Sequence, residues 1–359
     1  MAGPPPRKED FQIAIISALP VEYDAAQLIF DEFWSKDEGP RRRPSGGSGY
    51  VQTGRIGNDN AVLCLLPDGG EASAAMTASR LVSTYTGIKL AILAGTCSGV
   101  PSPRTDNEIL LGDVVISESV VPLDRHHPGG SSRNYTLNDG TGRGPRTISA
   151  IAKSPFGLIS LRIRTFKMLE QLQKTEAGHP TYYHRPAADE DVLFEARYPH
   201  QHRGSSGCSC SEGITCAEGW TASLLRKRLG YGKSQRPGEK ETVRSTPEPR
   251  IHVGLVASWD YPMISGGLRD MIAGRYGAIA FEREAAGVRD KIPCVVIKGV
   301  CDYADGHKGD ESWRGFAAAM AASATRAFLE SHEQAEEPTA GASSGIDTTN
   351  LDNSPPDGP

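Results

Sequence analysis

Two carboxylates separated by one helix and one apolar run are the residues best placed in this chain to do chemistry. Glu284 opens the small-residue stretch Glu284-Ala285-Ala286-Gly287, which reads as the start of a helix. Asp302 comes just past Cys294-Val295-Val296-Ile297-Lys298-Gly299-Val300, an apolar run with the composition of a buried strand. Strand ends of an open α/β sheet are where such folds place their ligands. A third carboxylate, Glu22, follows the apolar run Ile13 to Ile16 and the breaker Pro20. Isolated carboxylates at element ends suit proton transfer and hydrogen bonding to hydroxyl groups. Taken singly, each also has a plain structural reading. Glu284 fits a helix cap, Asp302 a turn residue after a strand, and Glu22 a charge in the helix beginning Val-Glu-Tyr-Asp.

The elements that must position these groups alternate. Ile13 to Ile16 reads as a buried strand, and Val21 to Phe33 has helical apolar spacing. Ala61 to Leu66 is a second strand, Glu71 to Thr86 an Ala-rich helix, and Leu90 to Ala94 a third strand running into a turn at Gly95-Thr96-Cys97-Ser98-Gly99. Leu111 to Val121 and Ile251 to Ala257 supply further strands, with helices at about 158–173, 267–274 and 312–330. This order predicts an α/β fold, one domain with a mostly parallel or mixed central sheet flanked by helices. Residues 1–10 form a Pro-rich arm and 333–359 an acidic, Pro/Ser/Gly-rich tail, both expected to be disordered, leaving 11–332 as the folded domain. Two polar, Gly-rich excursions, at about 125–147 and 179–249, read as surface loops inside it.

Composition narrows the function classes. The 359 residues carry 39 basic and 44 acidic side chains, mixed along the chain, for a net charge of −5. That balance gives no electrostatic footprint for nucleic acid or an anionic membrane, so a small molecule is the expected partner. No run approaches the length of a membrane span, and the start lacks the apolar core of a secretory signal, so the expected location is cytoplasmic. Cys64, Cys97, Cys294 and Cys301 sit in strand contexts as reduced, buried residues. Cys208, Cys210 and Cys216, with His200 and His202 upstream, could be written as a zinc site; the spacing is not a common structural pattern, and a cysteine-bearing loop without metal is the preferred reading. No phosphate-binding GxGxxG or GxxxxGK motif occurs, and no cofactor is expected.

Five short segments in order resemble the nucleoside phosphorylase and nucleosidase superfamily: IAIISALPVEYDAA at the start, LAGTCSGVP (93–101), LLGDVVIS (110–117), HVGLVASWDYP (252–262), and FEREAAGVRDKIPCVVIKGVCDYADGHK (281–308). DEDVLFEARYPH (189–200) is similar to a segment of the fungal-type members. The resemblance implies cleavage of a purine N-ribosyl bond, which passes through an oxocarbenium-like sugar. It casts Asp302 as the acid protonating the purine ring, Glu284 as the clamp on the ribose hydroxyls, and Glu22 as the group that orients and deprotonates a water. It also implies that Gly95 and Thr96, in the family's glycine-rich turn, bind substrate, that Ser258, Trp259 and Asp260 end a strand beside the base, and that the protein is a homo-oligomer.

Departures from the pattern shape the expected reaction. Phosphorylases of this kind carry an arginine where this chain has Leu93 and another in the first loop, where Leu19-Pro20-Val21-Glu22 offers none. Phosphate needs convergent positive charge, so hydrolysis is favoured. A phosphate-dependent enzyme whose phosphate arginine comes from elsewhere, such as Arg104 or a neighbouring subunit, and an inactive nucleoside- or nucleotide-binding signalling module are the alternatives. Arg283 replaces the family's methionine before the clamp glutamate, where it pairs with Glu284 or meets a phosphate on the ribose; Trp259 replaces a glycine, where it narrows the base pocket or stacks on the base. Arg55 and Lys298 are further candidate helpers.

Overall fold

The computed structural model describes residues 7–34, 49–101, 108–123, 142–143, 148, 154–175, 182–187, 191–194, 196, 224–225, 250–305 and 311–336. Residues 1–6 and 337–359, most of the two long excursions, Arg104 and the Cys208/Cys210/Cys216 group with its two histidines lie outside those residues, whereas two parts of the expected disordered ends, Lys8–Asp10 and residues 333–336, are helical. The strands are β1 (Ile13–Ser17), β2 (Glu32–Phe33), β3 (Tyr50–Ile56), β4 (Asp59–Leu65), β5 (Leu90–Gly99), β6 (Val114–Pro122), β7 (Gly142–Arg143), β8 (Val192–Leu193), β9 (Leu224–Leu225), β10 (Ile251–Ser258), β11 (Ala278–Glu282) and β12 (Cys294–Asp302). The helices are α1 (Pro20–Gln27), α2 (Glu71–Thr84), α3 (Pro155–Thr175), α4 (Gly266–Tyr276), α5 (Ala285–Arg289) and α6 (Glu311–Glu336).

The central sheet is mixed, in the order β11-β10-β6-β12-β5-β1-β4-β3-β2, with β7 added to β6. Its middle, β4-β1-β5-β12, is parallel, as the alternation of strand and helix predicts. The pairings β12 with β6, β3 with β4 and β2 with β3 are antiparallel. One end of the sheet curls. Phe281 and Ala280 of β11 pair antiparallel with Ser98 and Gly99 of β5, closing β5-β12-β6-β10-β11 into a ring. The expected turn at 95–99 is therefore strand: β5 runs ten residues, because its last part has β12 on one side and β11 on the other to satisfy its backbone groups.

Local chemistry explains most elements. α1 starts with Pro20 in its first turn, where a missing N–H costs nothing. It stops at Gln27 rather than running to Phe33, because Asp31 and Trp34 donate backbone N–H groups to Arg55 and Thr53 of β3 and draw the segment onto the sheet edge. Ser265 caps α4, its hydroxyl accepting the Leu268 N–H at 3.3 Å. The Ala-rich α6 lies across β12 and β5, and Gly299 of β12 makes that approach possible: a side chain there would run into the Ala317 backbone. Ile15, Ile16, Leu63, Ile92 and Phe328 are fully buried between sheet and helices. None of the described helices is long and apolar enough to cross a membrane.

Candidate active site

A cavity of about 240 Å³ opens at the curled end of the sheet. Ala18, Leu19 and Glu22 enter from the β1–α1 connection, Thr96 to Ser98 from β5, and Phe281 to Glu284 from the end of β11. Lys298, Cys301 and Asp302 come from β12, and Arg314 from the start of α6. The register of β12 against β5 slips between Val300 and Asp302. Such a bulge re-aims side chains, and here both Cys301 and Asp302 reach the cavity from one strand.

Glu22 is 3% exposed and held by four donors. Its Oε2 accepts the backbone N–H groups of Ala18 and Leu19 at 3.0 Å each. Its Oε1 accepts the Thr96 N–H and the Thr96 hydroxyl, both at 2.7 Å. Gly95 does not line the cavity; it makes room for this carboxylate, since a Cβ there would sit 2.5 Å from Glu22 Cδ. Gly95→Ala is therefore expected to push Glu22 off Thr96 and cost about 1–3 kcal/mol of stability as an overpacked site. Denaturant unfolding measures this, and a loss below half a kcal/mol would show that Glu22 moves freely.

Glu284 stands at the N-terminus of α5, with Oε1 accepting the Gly70 N–H at 3.2 Å and Oε2 paired to Lys298 Nζ at 2.6 Å. Lys298 Nζ is also 3.5 Å from Glu282 Oε2. Glu282 in turn accepts the N–H groups of Glu284 and Ala285, capping α5. All three side chains are buried, so their charges act through little solvent. Burial alone would push the Glu284 carboxyl up, but the Lys298 ammonium outweighs it and holds the group below its ordinary value. Glu282, with the more distant contact and a second carboxylate beside it, is raised by burial. Burial works against the Lys298 charge, yet Glu284 and Glu282 keep its pKa above normal, so the ammonium persists.

Asp302 is 9% exposed, with Oδ1 accepting the Ala304 N–H at 2.9 Å. Burial pushes the thiols of Cys301 and Cys97, which face the cavity, up from their ordinary values, and this disfavours the thiolate form that a nucleophile needs. Among the described residues no group of three or more His, Cys, Asp or Glu side chains could hold a metal ion.

Sequence reasoning and structure place the candidates differently in part. Glu22, Thr96, Arg283, Glu284 and Asp302 all line the cavity. Ser258, Trp259 and Asp260 do not. The Ser258 hydroxyl accepts the Ala286 N–H at 3.0 Å and so holds α5. Trp259 is 6% exposed in a satellite apolar cluster with Met263, Phe281 and Ile272, and its ring stands edge-on to Tyr261 at 6.4 Å, so it backs side chains of the cavity wall without lining the cavity itself. Asp260 accepts the Glu71 N–H at 2.8 Å and pins the start of α2, while its backbone oxygen accepts Arg283 Nε at 3.2 Å. Arg55 pairs with Glu32 at 2.9 Å on the sheet edge. Glu282 and Arg314 were not legible as site residues. The available signal for Glu282 was a lysine inside an apolar strand, which needs carboxylate partners nearby.

A mixed sheet closed at one end, with four acidic side chains from three segments gathered at that end, defines the class of nucleoside phosphorylase-like folds. Residues 12–331 match the Phosphorylase superfamily, which includes phosphorylases, and the chain belongs to that family. Similar solved structures include a nucleosidase and a hydrolase. One is the 5′-methylthioadenosine/S-adenosylhomocysteine nucleosidase of Neisseria meningitidis, solved with methylthio-immucillin-A: TM-score 0.52, 17% identity, covering 89% of this chain and 99% of that one. Another is the futalosine hydrolase of Helicobacter pylori: TM-score 0.50, 13% identity, covering 91% and 98%. At these identities the likeness is one of fold. A nucleotide-binding leucine-rich repeat-like protein of Hyaloscypha variabilis is 29% identical over 333 residues; the match takes in 89% of this chain and spans 29% of that protein's length.

Proposed function

We propose that this protein hydrolyses the N-ribosyl bond of a purine nucleoside or nucleotide and releases the free base. The observation that carries the reading is the single cavity that collects Glu22 with Thr96, Glu284 with Lys298, and Asp302 from four separate segments. In this reading Glu284, kept ionised by Lys298, accepts hydrogen bonds from the ribose hydroxyls and stabilises positive charge growing on the sugar. Asp302 gives its proton to a purine ring nitrogen as the carbon–nitrogen bond breaks and its electron pair leaves with the base. A water, held at Thr96, bonds to the sugar carbon and yields a proton to Glu22; of Glu22's four donors, the Thr96 hydroxyl is the one that can rotate away without breaking a backbone hydrogen bond. Tyr261 and Phe281 supply aromatic faces for the base.

Hydrolysis is favoured over phosphorolysis by the occupancy of the donors. The N–H groups of Ala18, Leu19 and Thr96, which would otherwise cradle an anion, already bind the Glu22 carboxylate, and a second anion there would be repelled. Arg283 and Arg314 at the cavity favour one further group, an anion away from Glu22, such as a 5′-phosphate on the ribose. A second copy of the chain packing near the exposed Tyr261 and Ile264, and action in the cytoplasm, belong to the same reading.

The test is incubation of purified protein with adenosine, inosine, guanosine, AMP and ATP, with and without inorganic phosphate, following free base by chromatography. Release without phosphate is the expected result. Release only with phosphate would mean a phosphorylase, and none under any condition a binding module. If Arg283 reads a 5′-phosphate, Arg283→Met shifts preference from nucleotide to nucleoside by about tenfold or more, the scale of one charge-assisted contact; equal losses on both substrates would reject that role.

A further inference from the structure

The segment 189–200 within the second long excursion plays no part in the chemistry above, yet its described residues reach the back of the acid. Asp191, 4% exposed, accepts the Tyr303 hydroxyl proton at 2.7 Å, and the Leu111 N–H donates to that same hydroxyl oxygen at 3.2 Å. Arg269 of α4, also buried, donates from Nη1 to the Tyr303 backbone oxygen at 2.7 Å. Tyr303 is thus held at both ends, at its ring hydroxyl and at its carbonyl. The next residue, Ala304, has φ +55°, the only non-glycine residue with positive φ among those described. Its N–H is the donor on Asp302 Oδ1. A side chain in left-handed backbone is strained, and such strain persists only where the surroundings over-determine it. The segment also rests on the helix that carries Arg269, with the Ala196 backbone against Gly266 at the start of α4.

We propose that Asp191 and Arg269 are positioning residues for Asp302: by clamping Tyr303 at hydroxyl and carbonyl they hold Ala304 left-handed and fix the direction of the Asp302 carboxylate. The segment around Asp191 is then the part of the excursion that couples it to the site. The proposal rests on the reading of Asp302 as the acid, and its two halves are separable. Loosening the clamp frees the Ala304 N–H, which hydrogen exchange reads without any turnover; misdirecting the acid lowers kcat while substrate binding, made by other groups, stays.

The experiment uses the full chain with Asp191→Ala, Arg269→Met and, should either fail to fold, Tyr303→Phe, which keeps the ring packing. Asp191→Asn, whose Oδ1 still accepts, is the conservative control, and Asp302→Asn calibrates the assay. Hydrogen exchange at Ala304 is expected to quicken about tenfold or more while residues 13–17 of β1 stay unchanged. Base release is expected to lose about tenfold or more in kcat with KM within about twofold, since small misplacements of a reacting group cost this much, and Asp191→Asn to recover most of it. Unchanged exchange at Ala304 overturns the proposal whatever the rates. Faster exchange with unaltered kcat overturns the positioning role. A wild type without turnover, or an Asp302→Asn variant that retains it, instead overturns the reading of Asp302, and the unaffected exchange data show that the failure lies there.

Discussion

Asp302→Asn is expected to lower kcat for base release by roughly 10²–10⁴-fold, the usual contribution of a positioned general acid, with little change in KM. Asparagine matches aspartate in shape, and its Oδ1 still accepts the Ala304 N–H that orients the native carboxylate at 2.9 Å. What it lacks is a transferable proton for the departing base. Initial rates with the best substrate, measured across pH for both proteins, give the result directly. A variant within fivefold of wild type at every pH would remove Asp302 from the chemistry and leave protonation of the base to solvent.

Lys298→Met is the second large effect, and it is an effect on folding as much as on catalysis. Lys298 is 3% exposed and is the shared cation of Glu284 and Glu282 at 2.6 and 3.5 Å. Removing one partner of a buried ion pair leaves uncompensated charge and costs about 3–5 kcal/mol. The pH dependence has a definite sign. In the wild type the Glu284 pKa is lowered, so its favourable contribution is present above the unfolded value and is lost as pH falls through the folded one. Glu282 is raised, so it opposes folding as pH rises through the carboxylate range. Without the lysine, burial raises both groups, and the variant gains stability on acidification where the wild type loses the Glu284 contribution. The stability gap between the two proteins should therefore be widest near neutral pH and narrow toward pH 4. Urea unfolding at several pH values tests this, and a gap independent of pH would show that Lys298 contributes by packing alone. Base release should fall as well, because the ribose clamp would no longer be held ionised.

The sequence reveals Asp302 and Lys298 to different degrees. Asp302, Glu284 and Glu22 stand out because each follows or precedes an apolar run with clear periodicity, in an order shared with a known superfamily. Lys298 could be seen only as a candidate, since a lysine in isolation is far more often solvated than buried. Its role follows from the β12 register, which sets it beside Gly95 of β5, and from the end of β11 crossing in front of it. β11 itself, Ala-Ile-Ala-Phe-Glu, is too short to announce itself, and with it Glu282 was hidden. Arg314 and Asp191 approach the site from elements far away in sequence, and no local pattern points at them.

Element order and hydrophobic period determined the α/β class and the parallel middle of the sheet, because burial of alternating or helical faces is a local property that a short window records; the superfamily showed in five ordered segments that resemble it, and three carboxylate candidates came with that resemblance. Tertiary structure alone decided that β5 continues past Gly95, that the sheet closes through β11, that Trp259 enters the core while Asp260 caps α2, and that one lysine serves two glutamates. These depend on which distant strand satisfies a given backbone edge and on which charge must be paired once buried. Both are settled by long-range contact rather than by the residues next to them in the chain.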